Sequence, residues 1–400
     1  MQITDLQEEQ KILPMFRLGF RPFFLGGAVF SLIAITLWLL MYRGVANIIP
    51  YGGGYWWHIH EMIFGFGSAI IAGFLLTAVQ NWTGIPSVKG KPLAALFVLW
   101  LAGRLVMLMP ELLGTITSAL IDLSFLLAVA YVLAKPILTK KQYRNLFFVP
   151  LLVMFTIANA ELHLASFYPQ SVAVSYSGYA GILLVLFLMS VMAGRVVPMF
   201  TANGTQTTKA TPAPLLDKLA NGSLLLITLM LLLHPFVGFV AMFFGALLII
   251  AGIFQLIRWL RWRPWVTLGV PLLWSIHFAL KFMWFGLILL GFSYIIDEIP
   301  SNHIWHLLTV GGMGGIILAM ISRVSLGHSG RSLTPPKLMS VAFAFITISA
   351  LIRSFGPWVM PEKTLLFIDI SGFCWLVAFG LFTFYYAPML LKAREDGRPG

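Results

Sequence analysis

Charge is what this chain has least of. Asp, Glu, Lys and Arg make up 10% of its 400 residues and hydrophobic side chains 59%, whereas a soluble globular domain carries about 25% charged residues. That balance excludes a water-soluble globular protein. The net charge of +12 does not make a nucleic-acid binder of it. The basic residues are dispersed between apolar runs, as they are in membrane proteins that anchor their loops. Cysteine is almost absent. Cys374 stands alone, which excludes an intramolecular disulfide. A cleavable secretory signal is not expected. Residues 1–13 are polar and include Asp5, Glu8 and Glu9, and no small-residue cleavage site follows the first apolar run. No polar stretch is long enough to hold a soluble domain.

What the chain has instead is apolar runs of membrane length. A spanning helix needs about 20 apolar residues. Twelve runs qualify: 23–42, 60–80, 93–110, 113–134, 147–167, 176–197, 220–237, 240–259, 267–292, 303–322, 338–355 and 365–387. The expected fold is all-α, a polytopic membrane helix bundle forming a single transmembrane domain over 1–400. His234-Pro235 is the only visible divider between the seventh and eighth runs. With the N-terminus placed in the cytoplasm, most of the 26 Lys and Arg residues fall on inside segments, and the outside holds only Arg43, Arg353 and Lys363. This bias predicts both termini inside. Spans 2, 6 and 10 run inward and exit through AGFLLTAVQNWTG, AGRVVPMFTANGT and ISRVSLGHSGR, which suggests a three-fold repeat of four helices.

Orientation gathers the histidines. His58 and His60 open span 2, His303 and His306 open span 10, and His163 nears the end of span 5, all toward the outer side. His234 also ends there, His277 lies near mid-depth in span 9, and His328 is cytoplasmic. Imidazole is the commonest protein ligand for transition metals and a haem-iron ligand. His303 and His306, three apart, share a helical face and could chelate one ion. His58 and His60, two apart, point about 200° from each other on a regular helix. Either His58 precedes the helix or the two serve different sites. Glu61, three after His58, could pair with it and fix the tautomer of a ligating ring.

Other polar groups sit at depth, where ionisable side chains pair or line a pathway. His277 and Lys281 are four apart in span 9, as are Asn159 and His163 in span 5. Arg104, Asp122, Glu161 and Asp369 lie within or near spans. Lys281 could neutralise a haem propionate or another buried anion, or pair with Asp122 or Asp369. Gly65-Phe66-Gly67, Gly73 and the GGMGG run at 311–315 are expected to serve close helix packing; no strand precedes them, so they are not a nucleotide fingerprint. Arg17 and Arg21, four apart, are expected to share a helical face that anchors at the inner interface.

Five blocks in order, FRLGFRPFFL (16–25), WHIHEMIFGFGSAIIAGFLLTAVQNWTG (57–84), LAGR (101–104), GRVVPMFTANG (194–204) and HLLTVGGMGGIILAMISRVSLGHSGR (306–331), together resemble the NnrS family of bacterial inner-membrane proteins. The resemblance implies twelve spans, bound haem and copper, and a role in nitric oxide metabolism, nitrosative-stress tolerance or denitrification. It implies no settled reaction and no assigned ligand set. The blocks contain His58, His60, Glu61, Arg104, Arg195, His306, Arg323, His328 and Arg331. The expected metal ligands are His58, His60, His303 and His306, then His163 and His277, with Arg104 and Lys281 as further cofactor-binding residues. The expected partners are the lipid bilayer and nitric oxide or iron-nitrosyl species, with no nucleic acid. The competing readings are a proton-coupled transporter using Lys281 and His277, and a metal-delivery or assembly factor for a respiratory enzyme.

Overall fold

A computed structural model describes residues 6–167 and 173–399 of the chain. Asp5 lies outside the described residues. Among those described there is no strand, and twelve helices are long and apolar enough to cross a membrane. They are α1 (Phe20–Tyr42), α2 (Gly54–Thr83), α3 (Lys91–Leu108), α4 (Thr115–Thr139), α5 (Tyr143–Ser166), α6 (Tyr176–Thr205), α7 (Pro214–Val237), α8 (Ala241–Arg261), α9 (Pro271–Phe292), α10 (Ser301–His328), α11 (Leu338–Val359) and α12 (Pro361–Leu391). This is a multi-pass membrane protein of the all-α class.

The chain divides into two compact units. The first comprises Met1–Gly181, Arg323–Leu333 and Phe382–Gly400; the second comprises Ile182–Ser322 and Thr334–Leu381. In the first, α2 packs on α1 and α4, and α4 also packs on α3 and α5. In the second, α8 packs on α7 and α9, and α10 packs on α9 and α11. Lipid-facing helices keep only one side inside. α2 and α10 differ, because 83% and 78% of their apolar windows are buried. A helix that is apolar all round and enclosed on most sides is where a polar residue must find a protein partner.

Those two helices share a second feature. Each begins with a short α-helical segment, Gly54–His60 in α2 and Ser301–His306 in α10. Each then opens into a π-helical stretch, Glu61–Gly67 and Leu307–Gly314, before returning to α-helix. Both stretches are glycine-rich, where α-helix propensity is weakest. π-Helical turns are rare and concentrate at functional sites. Here a histidine, His60 or His306, immediately precedes each one.

Three local expectations are corrected. The break between α7 and α8 is not His234-Pro235: Pro235 is absorbed into the last turn of α7. Gly238, at φ +68°, ends the helix with its N–H on the His234 carbonyl at 3.1 Å. Arg17 and Arg21 share no helical face, because α1 begins only at Phe20. Arg17 donates from Nε to the Ile12 carbonyl at 3.0 Å. Arg21 is fully buried rather than interfacial, and its Nη1 donates to the carbonyls of Leu390 (3.0 Å) and Lys392 (2.6 Å). It thereby satisfies carbonyls that the end of α12 leaves without helical partners.

Candidate metal centre

The first unit buries an unusual set of polar groups brought by four helices. His60 and Glu61 come from α2, Arg104 from α3, Asp122 from α4, and Asn159 and His163 from α5. His60 and Glu61 are both 0% exposed, Arg104 is 4%, Asp122 and His163 are 3%, and Asn159 is 1%. Burial of so many ionisable groups is tolerable only where each is paired.

Asp122 is the hub. Its Oδ1 accepts from Arg104 Nη2. Its Oδ2 lies 3.1 Å from His60 Nε2, 3.2 Å from His163 Nε2 and 2.7 Å from the Asn159 amide nitrogen. Arg104 spans the two carboxylates, with Nη1 2.5 Å from Glu61 Oε2. Glu61 Oε1 in turn lies 2.9 Å from His60 Nδ1. Both nitrogens of the His60 ring therefore face carboxylates. A neutral imidazole donates from one nitrogen only, so the other side needs a proton or a metal cation.

The surroundings fix these side chains. The Trp56 indole stacks on the His60 ring at 4.7 Å and 10°, and is itself held by donation to the Leu162 carbonyl at 2.9 Å. Tyr51, from the α1–α2 loop, meets the His163 ring edge-on at 5.1 Å. Its phenol is pushed above its ordinary pKa, chiefly by burial. Trp100 donates to the Gly65 carbonyl at 2.9 Å. Gly65 is where the π-helical stretch meets the ion pair. A Cβ there would stand 2.5 Å from Glu61 Oε2 and 2.6 Å from Arg104 Nη1. Close helix packing alone does not account for this glycine; it leaves room for the charged pair. Gly73, Gly311 and Gly315 do meet neighbouring helices closely, against Phe23, Phe282 and Ala279.

His60 Nε2, one Asp122 oxygen and His163 Nε2 lie within 4.8 Å of one another, all from buried residues. A tetrahedral ion with bonds of about 2.0–2.1 Å separates its ligand atoms by about 3.3 Å. The observed 3.1 and 3.2 Å approach that spacing. Fixed charge points the same way. Arg104 offsets only one of the two carboxylates, Glu61 and Asp122, so the cluster without further protonation carries one negative charge. Two imidazoles and a carboxylate are a donor set suited to copper or zinc, and the group could hold a metal ion.

The other expected residues lie elsewhere. His58 falls inside the first segment of α2, yet its ring stacks on Trp38 at 4.4 Å and 12°. It does not join His60. Glu61 pairs with His60 and Arg104, not with His58. His277 is buried beside the Thr201 hydroxyl (2.9 Å) and its carbonyl accepts from the Trp259 indole. Lys281 is on an exposed face of α9, its Nζ 6.0 Å from the Phe278 ring centre. Asp122, one of the partners expected for Lys281, is taken by His60, Arg104, Asn159 and His163 instead. His303 and His306 share one helical turn in the second unit. His306 Nδ1 donates to the Asn302 carbonyl at 3.0 Å.

Sequence reasoning held each member of the cluster singly but not the assembly. The sequence offers Asp122 only as one of several partners for Lys281, and Glu61 as a partner for His58. Their signal was present: each is an ionisable group inside an apolar run. No spacing rule links residues on four different helices.

A polytopic all-helical membrane protein with a buried ionic centre of two histidines, an aspartate and an arginine-bridged glutamate is the class that fold and site define. The family model described as NnrS protein matches residues 14–394, nearly the whole chain, and the chain belongs to that family. No curated protein matches it.

Proposed function

We propose that this is a haem- and copper-binding membrane protein acting in nitric oxide metabolism or nitrosative-stress tolerance, set in the bacterial inner membrane with both termini cytoplasmic. The observation that carries the reading is the convergence of His60 Nε2, Asp122 and His163 Nε2 within 4.8 Å, all from buried residues, in a chain of the NnrS family. These three residues would hold copper. His306, with its Nδ1 tied to the Asn302 carbonyl, would hold haem iron, with His303 one turn away as the alternative ligand; a second partner that fixes the ring in this way is usual for ligating histidines. Reduced copper or haem iron, when bound, would supply affinity for nitric oxide.

The chain's own residues define what such a centre can do. Asp122 holds its Oδ2 toward both imidazoles, so loss of one ligand does not free the others. Arg104 donates to both Glu61 and Asp122 in a site closed off from solvent. Trp56 and Tyr51 cover the imidazoles, so the approach is apolar. Nitric oxide is small and neutral, and it reaches such a site through the bilayer without a hydrophilic pore.

The test is metal and haem analysis of the full-length protein purified from cells supplied with copper and haem, followed by a spectrum before and after anaerobic nitric oxide. The reading predicts copper and haem near one per chain and a shift of the Soret band. A folded preparation with neither would overturn it. Transport flux without either metal would favour the transporter.

A further inference from the structure

A second polar constellation lies in the other unit, contains no histidine and is unused by the reading above. It is built where α6 ends, α7 begins and α8 ends. There a cleft of about 120 Å³ is lined by Arg195, Lys209, Arg258 and Arg261, with Asp217 and Trp262. That is four cations to one carboxylate. At about 30 Å³ per water the space equals about four waters, the scale of a tetrahedral oxyanion.

Two of the cations are fixed by their surroundings. Arg258 is 2% exposed. Its Nε donates to Asp217 Oδ1 at 2.8 Å, and Nη1 donates to Ser190 Oγ (2.8 Å) and Gln255 Oε1 (3.0 Å). Nη2 makes one long bond, 3.4 Å to the Ser190 carbonyl, so a further N–H remains for a ligand. The guanidinium lies 4.9 Å over the Trp262 ring, and the absent side chain of Gly194 makes room for it. Arg261 Nη2 donates to the carbonyl of Thr211, in the loop that lines the cleft, at 3.2 Å. Lys209 projects from that loop and is exposed.

Asp217 offsets one charge and leaves the lining strongly positive. α7 starts at Pro214, which has no N–H, and the Asp217 N–H is bonded to the Ala213 carbonyl at 3.0 Å, so the N–H groups of Leu215 and Leu216 are those its first turn leaves without helical acceptors at this end of the cleft. Guanidinium forks and a helix N-terminus are the groups that recognise phosphate oxygens. The Lys/Arg bias assigns these helix ends to the cytoplasmic side, where lipid phosphates and free phosphates are both at hand.

We propose that this cleft binds a phosphate-bearing anion, with Arg195, Lys209 and Arg261 as the contacting cations and Arg258 as the fixed floor. The test uses the full-length protein in phosphatidylcholine nanodiscs. Inorganic phosphate and pyrophosphate are titrated by calorimetry. In a parallel arm, retention of phosphatidylglycerol doped into the discs is read by native mass spectrometry. Binding in the first arm identifies a free phosphate ligand, and retention in the second alone identifies a lipid headgroup; either supports the site. Lys209→Ala with Arg261→Ala should weaken binding by about tenfold or more, as expected for loss of charge-assisted contacts. The conservative pair Lys209→Arg and Arg261→Lys should stay within about threefold. Arg195→Ala, read separately, guards against a folding defect in the double variant. The proposal is overturned if neither probe binds, or if binding is the same in the wild type, the double variant and Arg195→Ala.

Discussion

His60 Nε2 lies 3.1 Å from Asp122 Oδ2, with both side chains closed off from solvent. The two residues come from different helices, separated by 62 positions. An imidazole and a carboxylate in an apolar bilayer meet at that distance only if a proton or a cation lies between their charges. The pair is therefore the point at which packing and charge balance are tied together.

Arg104 is the counter-charge on which the centre rests. Its removal leaves Glu61 and Asp122 buried together with one fewer cation. Arg104→Ala should destabilise the protein by about 3–5 kcal/mol, the cost of breaking a buried ion pair. Thermal scanning in detergent checks this, and a melting temperature unchanged from wild type would contradict it. Arg104→Lys should recover only part of the loss, because an ammonium cannot span two carboxylates as a planar fork does.

Gly65 gives a sharper test of the site than of the fold. A methyl group there collides with Glu61 Oε2 and Arg104 Nη1. Gly65→Ala should cost about 1–3 kcal/mol of stability through overpacking and lower copper content per chain. Gly315, which faces Ala279 in the other unit, is the comparison. Gly315→Ala should cost stability while leaving copper content intact. Equal copper loss in both would show that the effect is general.

The sequence disclosed the architecture more fully than the site. Twelve apolar runs of membrane length were legible because bilayer thickness sets the length of a span almost regardless of partners. The shared face of His303 and His306 was legible because a helix places residues three apart on one side. The divergence of His58 and His60 was legible for the same reason, although which ring turned inward was not. The hub at Asp122 was hidden, since it depends on how α2, α3, α4 and α5 pack, and no local period encodes that. Arg21 was misjudged as a lipid anchor because its acceptors, the Leu390 and Lys392 carbonyls, lie 369 and 371 positions away.

That capping role can be measured. Arg21→Ala leaves buried carbonyls at the end of α12 without a donor, at about 1–3 kcal/mol. Limited proteolysis should then cut faster within residues 392–399, and Arg21→Lys should restore part of the protection. Protection equal to wild type in Arg21→Ala would contradict it.

In the second unit, His306 and His303 test the proposed haem site. His306→Ala should lower haem per chain severalfold when measured as the pyridine haemochrome, while copper is retained. His303→Ala should lower haem as well if both imidazoles ligate. Unchanged haem in both variants removes the pair from the haem site.

The central claim is that copper is held by His60, Asp122 and His163, and not by the neighbouring His58. Copper per chain, measured by inductively coupled plasma mass spectrometry on folded full-length protein, tests it most directly. His60→Ala and His163→Ala should each lower copper content at least about tenfold, since even the partners behind metal ligands are worth 10–100-fold in affinity. His58→Ala should leave copper near the wild-type level. Copper retained in His60→Ala and His163→Ala, or lost only in His58→Ala, would contradict the account.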